Sequence, residues 1–346
     1  MILNRRAWWA RNKRLLRSAL RRRRLMNLVW NGLAYHWAYL TGRTTVAHRP
    51  VALTFEPTTH CNLRCPQCIS GRRAFTRPTG QASSQTLQKV LDEIGDDIFY
   101  LSLYFQGEPY LNPHLWEMCR IARQYGVFTD ISTNGHYFSE KCCHQTVEEG
   151  PDQLIISLDG TTPESYRIYR VGGQWQRVME GIHRLMQVRC HYQRLRPYVI
   201  LQFIVFAHNE QEVADVEDLA RQLGVDELRI KTAQVYEEWE GARWIPSTDR
   251  YSRYEQSAHG LRLKSRRWRG CTRVWQEPTI TWDGQILPCC FDKDADFAMG
   301  NIRHQSFDTI WNGKAYQMFR KQVFTDRTVL GMCRNCTEGT RLWVKK

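Results

Sequence analysis

The sequence predicts an α/β protein built on a parallel sheet, open or barrel-like, with a small cysteine-bearing C-terminal module and a basic helical N-terminal arm. Three observations predict it. Strand-like apolar runs alternate with amphipathic helical stripes from residue 51 to about 231. Cysteines gather at Cys61, Cys65 and Cys68 and again between Cys271 and Cys336. Positive charge is concentrated before residue 56.

In chain order, the arm (1–48) holds ten Arg or Lys within its first 24 residues, interleaved with Trp8 and Trp9. Met26, Val29, Trp30, Leu33, Trp37 and Leu40 follow at helical spacing. The body (49–235) reads as six buried strands: VALTFEP (51–57), IFYLSLYF (98–105), VFTDIS (127–132), LIISLD (154–159), YVILQFIVF (198–206) and ELRIK (227–231). Between them lie helical stripes: Leu87, Val90, Leu91 and Ile94; Trp175, Val178, Ile182, Leu185 and Met186; Val213, Val216, Leu219, Ala220 and Leu223. Such folds place ligands at the carboxyl ends of the strands. Residues 236–270 lack periodicity and read as a linker or substrate-contacting insert, and 271–346 as the C-terminal module.

A chain of 346 residues buries a large core, and its 24% charged content is that of a globular protein. Residues 1–55 carry twelve Lys and Arg and no Asp or Glu; the remainder has 49 − 12 = 37 basic against 35 acidic residues, so the body is nearly neutral. Twelve grouped cysteines are too sparse for a disulfide scaffold and suit metal ligation. No apolar run has the flanks of a signal peptide or the roughly 18–20 residues of a membrane span, so a reducing cytoplasm is expected.

TTHCNLRCPQCISG (58–71) follows the first strand and sets three cysteines at gaps of four and three. Structural zinc normally takes four protein ligands, so three thiolates imply an open centre or a distant fourth ligand. A zinc knuckle from Cys65, Cys68, His60 and Cys61 is the alternative, strained by the adjacency of His60 and Cys61. Cys-x3-Cys-x2-Cys after a first strand resembles the radical SAM superfamily, which implies a partial (β/α)6 TIM-like barrel. The resemblance further implies a 4Fe–4S cluster held by Cys61, Cys65 and Cys68, with S-adenosylmethionine (SAM) on its fourth iron. A 5′-deoxyadenosyl radical would follow from one-electron cleavage of SAM, with a reductant such as flavodoxin or ferredoxin. FQGEP (105–109) is similar to the family's Gly-Gly-Glu motif, with Gln106 for the first glycine and Gly107 and Glu108 retained for the SAM amino group. STNG (132–135) and SLDG (157–160) are similar to SAM-contacting strand ends, implying Ser157 and Asp159 at the ribose, and FAHNE (206–210) implies Asn209 near the carboxylate and adenosine. Each of these short motifs is by itself also an ordinary turn or cap.

Cys271, Gly284-x4-Cys289 and Cys333-x2-Cys336, with MGNI and IWNG between them, resemble the SPASM/twitch module in its one-cluster form. That implies an auxiliary 4Fe–4S cluster on Cys271, Cys289, Cys333 and Cys336; Cys289 rather than Cys290 fits the spacing, and a four-cysteine zinc ribbon is the competing reading. Cys119, Cys142, Cys143 and Cys190 lie in or beside helical stretches and read as core or incidental.

The function expected is SAM-dependent radical oxidation of a polyhydroxylated, sugar-like small molecule; the alternative is maturation of a peptide or protein. A zinc-stabilised nucleic-acid-binding protein is the reading from another class, and a basic tract alone supports it weakly. The arm reads either as a helix docked on the body or as a peripheral contact of residues 1–40 with an anionic inner-membrane surface.

Overall fold

The computed structural model describes residues 1–46, 48–236, 241–257, 260–264, 269–336 and 338. Parts of the expected 236–270 linker and of the C-terminal tail therefore lie outside the described residues.

The arm forms helices α1 (Arg5–Ala19) and α2 (Arg22–Thr41). The body supplies β1 (Ala52–Phe55), β2 (Tyr100–Ser102), β3 (Phe128–Thr133), β4 (Gln153–Ser157), β5 (Tyr198–Val205) and β6 (Glu227–Thr232). Among these run α3 (Ile69–Arg72), α4 (Ser84–Ile94), α5 (Leu115–Gln124), α6 (Glu140–Glu148), α7 (Pro163–Tyr169), α8 (Trp175–His191) and α9 (Val213–Gln222). An antiparallel hairpin, β7 (Tyr254–Ser257) and β8 (Gly260–Leu263), precedes the C-terminal elements. Those are α10 (Arg273–Gln276), β9 (Thr279–Ile280), β10 (Gln285–Leu287), β11 (Gly300–Asn301), α11 (Phe307–Trp311), α12 (Lys314–Thr325) and α13 (Gly331–Arg334).

All six expected strands form, and β1 to β6 pair in sequential order, every neighbour parallel. Leu53, Leu101, Ile131, Leu154, Ile156, Val199 and Leu201 are wholly buried, as strands covered by helices require. Local chemistry starts the covering helices: Ser83, Ser139 and Thr162 accept hydrogen bonds from the first-turn amides of α4, α6 and α7. Helix α4 then buries Leu87, Val90, Leu91 and Ile94 on one face.

Strand β1 and β6 do not pair with each other, so the barrel stays partial. The free edge of β6 is closed by the chain's own start: Ile2 pairs antiparallel with Glu227, and the Leu228 amide donates to the Met1 carbonyl at 2.9 Å. The outer edge of β1 is taken by β9, in parallel register Thr54↔Thr279 and Phe55↔Ile280, and β10 and β11 extend the same sheet antiparallel. The C-terminal elements thus continue the barrel sheet.

Two buried ion pairs pin this arrangement. Arg189 spans both oxygens of Asp226, which also accepts from the Val199 amide. Just past β1, both Glu56 oxygens accept from Arg77, at 2.8 and 2.6 Å, and Oε2 also accepts from the Trp282 amide at 3.2 Å. Burial pushes the Glu56 carboxyl up even against Arg77. Replacing Glu56→Gln leaves a buried guanidinium uncompensated and is expected to cost about 3–5 kcal/mol, whereas Glu56→Gln with Arg77→Met should cost less than that single change. Urea unfolding of the two variants measures both.

Candidate active site

The loop leaving β1 carries Cys61, Cys65 and Cys68 to the carboxyl end of the sheet, where all three thiols are free. Backbone bonds hold it: the Thr59 amide donates to Gly80 O at 3.0 Å, Arg64 N to Val171 O at 2.8 Å, and Cys68 N to Cys65 O at 3.2 Å. The sulfurs collect donors of their own. Leu63 N lies 3.4 Å and Asn134 Nδ2 3.9 Å from Cys61 Sγ, and Arg170 Nη1 is 4.0 Å from Cys65 Sγ. Burial pushes the Cys61 thiol up to about 11 and Cys65 up to about 12, so a thiolate here needs a compensating cation.

The loop after β2 meets this one closely. Gly107 has φ 72°, and a Cβ there would stand 2.3 Å from the Thr58 carbonyl and 2.8 Å from that of His60. The Glu108 amide donates to His60 O at 2.7 Å. Its buried carboxylate accepts from Thr133 Oγ1 at 2.7 Å and the Asn134 amide at 2.7 Å, joining the ends of β2 and β3. Burial pushes that carboxyl up to about 7 against these bonds. Gln106 occupies the position of the expected first glycine, with Oε1 3.4 Å from Ser70 Oγ.

Ser157 ends β4 and is buried. Asp159 and Asn209 form one knot beside it. Asp159 Oδ2 accepts from Arg170 Nε at 2.7 Å, and Oδ1 from the Ile204 amide at 2.9 Å. Asn209 Nδ2 donates to Asp159 O and Ile204 O, both at 3.0 Å, while its Oδ1 accepts from Phe206 N at 2.7 Å. Their side chains fasten the ends of β4 and β5 together. Sequence reasoning missed Arg170 and Asn134; Asn134 lies within the quoted STNG, whereas Arg170 follows α7 with no motif to mark it.

The second cysteine group comes from three separate segments: Cys271 before α10, Cys289 after β10, and Cys333 and Cys336 around α13. Cys271, Cys289 and Cys336 are buried and Cys333 is half-buried. Burial, then Cys290, Cys271 and Cys336, push Cys289 up. Burial, opposed by Arg327 and assisted by Cys336 and Cys271, pushes Cys333 up to about 12. Arg327, despite its own burial cost, is held in its charged form by Cys336, Cys271 and Cys333. Cys290 turns elsewhere: its sulfur accepts from Arg273 Nη1 at 3.6 Å and lines the central cavity. Among the described residues no three His, Cys, Asp or Glu side chains close on a single-ion position. The thiols of both groups are free, and Cys61, Cys289 and Cys336 each accept from a backbone amide two residues on.

A cavity of about 370 Å³ is lined by Cys290 and Arg273, by Tyr169 and Phe206, and by Gln67, the neighbour of Cys68. Lys231, Arg253, Arg273 and Lys293 line it against Glu277 and Glu338. Burial, with Arg253 and Lys293 nearby, pushes the Lys231 ammonium down to about 8. A second cavity of about 410 Å³ shares Gln67, Phe105, Tyr236 and Lys293 with the first and reaches Cys68, Arg72 and Ala74. The shared lining makes the two cavities neighbours.

A parallel partial barrel with a three-thiol loop at its strand ends, and a second thiol set in the elements that follow it, defines an iron–sulfur enzyme class. The family model described as Radical SAM superfamily matches residues 55–223, and that of SPASM, an iron-sulfur cluster-binding domain, matches 271–337. The chain belongs to the radical SAM superfamily and carries a C-terminal SPASM domain; it is an enzyme dependent on SAM and 4Fe–4S clusters. It is 25% identical over 315 residues, covering 82% of this chain and 86% of the relative, to a tungsten-containing aldehyde ferredoxin oxidoreductase cofactor-modifying protein from Pyrococcus furiosus. It is 24% identical over 321 residues, 86% of each chain, to a PqqA peptide cyclase from Gluconobacter oxydans. The crystal structure of Streptococcus suis SuiB bound to precursor peptide SuiA shares the fold, with a TM-score of 0.61 at 14% identity over 89% of this chain and 75% of that one.

Gly107 tests the contact between the two loops. Gly107→Ala meets the Thr58 carbonyl and an adverse φ, so a loss of at least about 1–2 kcal/mol is expected, with reduced iron content after reconstitution. Gln106→Gly should retain iron. Metal analysis beside thermal unfolding reads both.

Proposed function

We propose that the protein matures a peptide or protein by SAM-dependent radical chemistry, rather than oxidising a free sugar-like molecule. The observation that carries this is the pair of adjoining cavities, one lined by Arg273 and Cys290 and the other by Cys68, which share Gln67, Phe105, Tyr236 and Lys293 and so offer room along more than one compartment. An extended segment occupies both compartments, whereas a compact ring fills one. The relatives named as a PqqA peptide cyclase and a SuiA-bound enzyme point the same way. The cations lining the first cavity, Lys231, Arg253, Arg273 and Lys293, favour a substrate that brings carboxylates.

In this reading Cys61, Cys65 and Cys68 hold the first cluster and leave one iron for SAM. When bound, the cluster and SAM supply the radical that removes a substrate hydrogen. Glu108 receives the SAM amino group, the Gly107 backbone lets it approach, and Ser157, Asp159 and Asn209 shape the wall toward its ribose and carboxylate. Asn134 and Arg170 donate toward the thiolates and offset their charge. Cys271, Cys289, Cys333 and Cys336 hold the auxiliary cluster, with Arg327 beside three of them. Tyr169 and Phe206, ring centroids 4.1 Å apart, exclude water from the cleft wall. A flavodoxin- or ferredoxin-like donor supplies the electron.

Substrate class is tested with the reconstituted holoenzyme, SAM and reductant, offered the peptide fraction of source cells and, separately, a mixture of polyols and aminocyclitols. The expected result is a peptide lighter by two hydrogens, formed only with SAM; conversion confined to the polyols overturns the proposal.

Division of the cysteines gives a second expectation. Replacing Cys61, Cys65 and Cys68 together by Ala should abolish 5′-deoxyadenosine formation while about one cluster per chain remains. Cys289→Ala should remove the auxiliary cluster and leave SAM cleavage, whereas Cys290→Ala should keep both clusters. Iron counts and 5′-deoxyadenosine assays decide; auxiliary-cluster loss in the Cys290 variant but not the Cys289 variant would reverse the assignment.

A further inference from the structure

Helix α2 is turned inside out. Its buried face carries Arg24, Asn27, Asn31 and Ala38. Arg24 donates to the carbonyls of Gly126 at 2.7 Å, Gly95 at 2.9 Å and Tyr125 at 2.6 Å; Asn27 donates to Pro50 O at 2.9 Å and Asp97 O at 3.2 Å; Asn31 donates to Trp275 O at 2.7 Å. These carbonyls belong to loops and element ends that need donors, and α2 supplies them. The bonds fix the rotation of the helix about its axis. Its opposite face is therefore held outward: Met26, Val29, Trp30, Leu33, Trp37 and Leu40 are 51%, 54%, 61%, 57%, 57% and 79% exposed. By helical spacing these six residues form one stripe along a helix of 20 residues, about 30 Å long.

Large contiguous apolar faces on soluble proteins mark a contact surface. Charge selects what contacts this one. Arg22 lies one turn before Met26 on the same stripe, Arg43 follows its end, and Arg5, Arg6, Lys13 and Arg17 are exposed on α1 together with Trp9 and Leu16, with Leu20 exposed just past its end. Residues 1–55 contain no Asp or Glu. A second copy of this face would set cations against cations. A polyanionic surface with an apolar interior satisfies both the arginines and the stripe.

We propose that the outer face of α2, with the basic outer face of α1, seats the protein on an anionic lipid bilayer, the helix lying in the headgroup layer with Trp30 and Trp37 as anchors. The helix lies on the membrane and does not cross it: no helix among the described residues is long and apolar enough to span, and Arg24, Asn27 and Asn31 are committed to the body. The bond network of α2 holds the barrel at a fixed orientation to the surface. This proposal does not depend on which substrate the cleft takes.

Truncation of the arm is unsuitable as a test, because its inner face and first residues are part of the packed body. The full-length holoenzyme is instead sedimented with vesicles of phosphatidylcholine alone or with added phosphatidylglycerol. The wild type is expected to bind the anionic vesicles at least about tenfold more tightly than the neutral ones, with that binding weakened but not removed by salt. The combined variant Trp30→Glu, Leu33→Glu, Trp37→Glu, confined to exposed positions, should bind about tenfold more weakly or less, with cluster absorbance and 5′-deoxyadenosine formation unchanged. A combined Arg5, Arg6, Lys13 and Arg17 to Gln variant should lose the salt-sensitive part. Failure of the wild type to bind, or equal binding to neutral vesicles, overturns the proposal. So does a wild-type dimer that ignores vesicles and becomes monomeric in the Glu variant, because the face would then join two copies.

Discussion

Strand β1 is hydrogen-bonded on both edges, to β2 of the barrel and to β9 of the C-terminal elements, and the rest of the site depends on that. A parallel register on both sides points β1, β2 and β9 the same way. The loop with Cys61, Cys65 and Cys68 leaves the carboxyl end of β1, while β10 turns back antiparallel before Cys289. Glu56, one residue past the strand, locks the junction: its amide donates to Ile280 O at 2.8 Å while its carboxylate takes Arg77 and the Trp282 amide. Gly80 adds a steric requirement, since any Cβ there would meet the Trp282 ring at 2.6 Å. The loop of the first thiol group and the segment leading to Cys289 are thereby both fastened to one continuous sheet.

The six barrel strands were legible because a parallel sheet buried on both faces needs continuous apolar runs, and such runs are conspicuous. Their ends were less so. IFYLSLYF reads as one strand over 98–105, yet only Tyr100–Ser102 pairs, because β1 offers a short partner and Tyr104 and Phe105 turn into the cavity wall. The joining of the C-terminal elements to the barrel sheet left no trace in the sequence: β9 is two residues long, too short for any periodicity. The cysteine spacings stood out because ligation restricts residue type and gap together. Arg170 did not, since a lone arginine owes its role to where α7 ends.

Helix α2 shows how a sound sequence rule can point the wrong way. An apolar stripe at helical spacing normally marks the buried face. Here the carbonyls of Gly95, Gly126, Tyr125 and Pro50 take donors from Arg24 and Asn27, and burying these polar side chains against them turns the apolar stripe outward. Burying Arg24 is tolerable because nearly every donor of its fork finds a backbone oxygen, although burial still pushes its guanidinium down to about 10. The helix is docked and yet keeps its stripe free. Docking to the body and contact with a surface, which the sequence set against each other, are compatible because they use opposite faces.

The electrostatics of the cleft follow from the same packing. Every thiol of the two groups with a resolved shift is pushed up by burial, which means that the folded chain disfavours thiolates until positive charge arrives. Arg170 beside Cys65 and Arg327 beside Cys333 and Cys336 supply part of that charge from the protein. Iron must supply the remainder, so ligation and release of protons are coupled. With the proposed ligands, the auxiliary set also ties three segments distant in sequence, at Cys271, at Cys289 and at α13, into one closed unit. Closing such loops removes more freedom from the unfolded chain than from the folded one. The C-terminal elements contribute only short strands to the sheet, so they gain proportionately most from that closure.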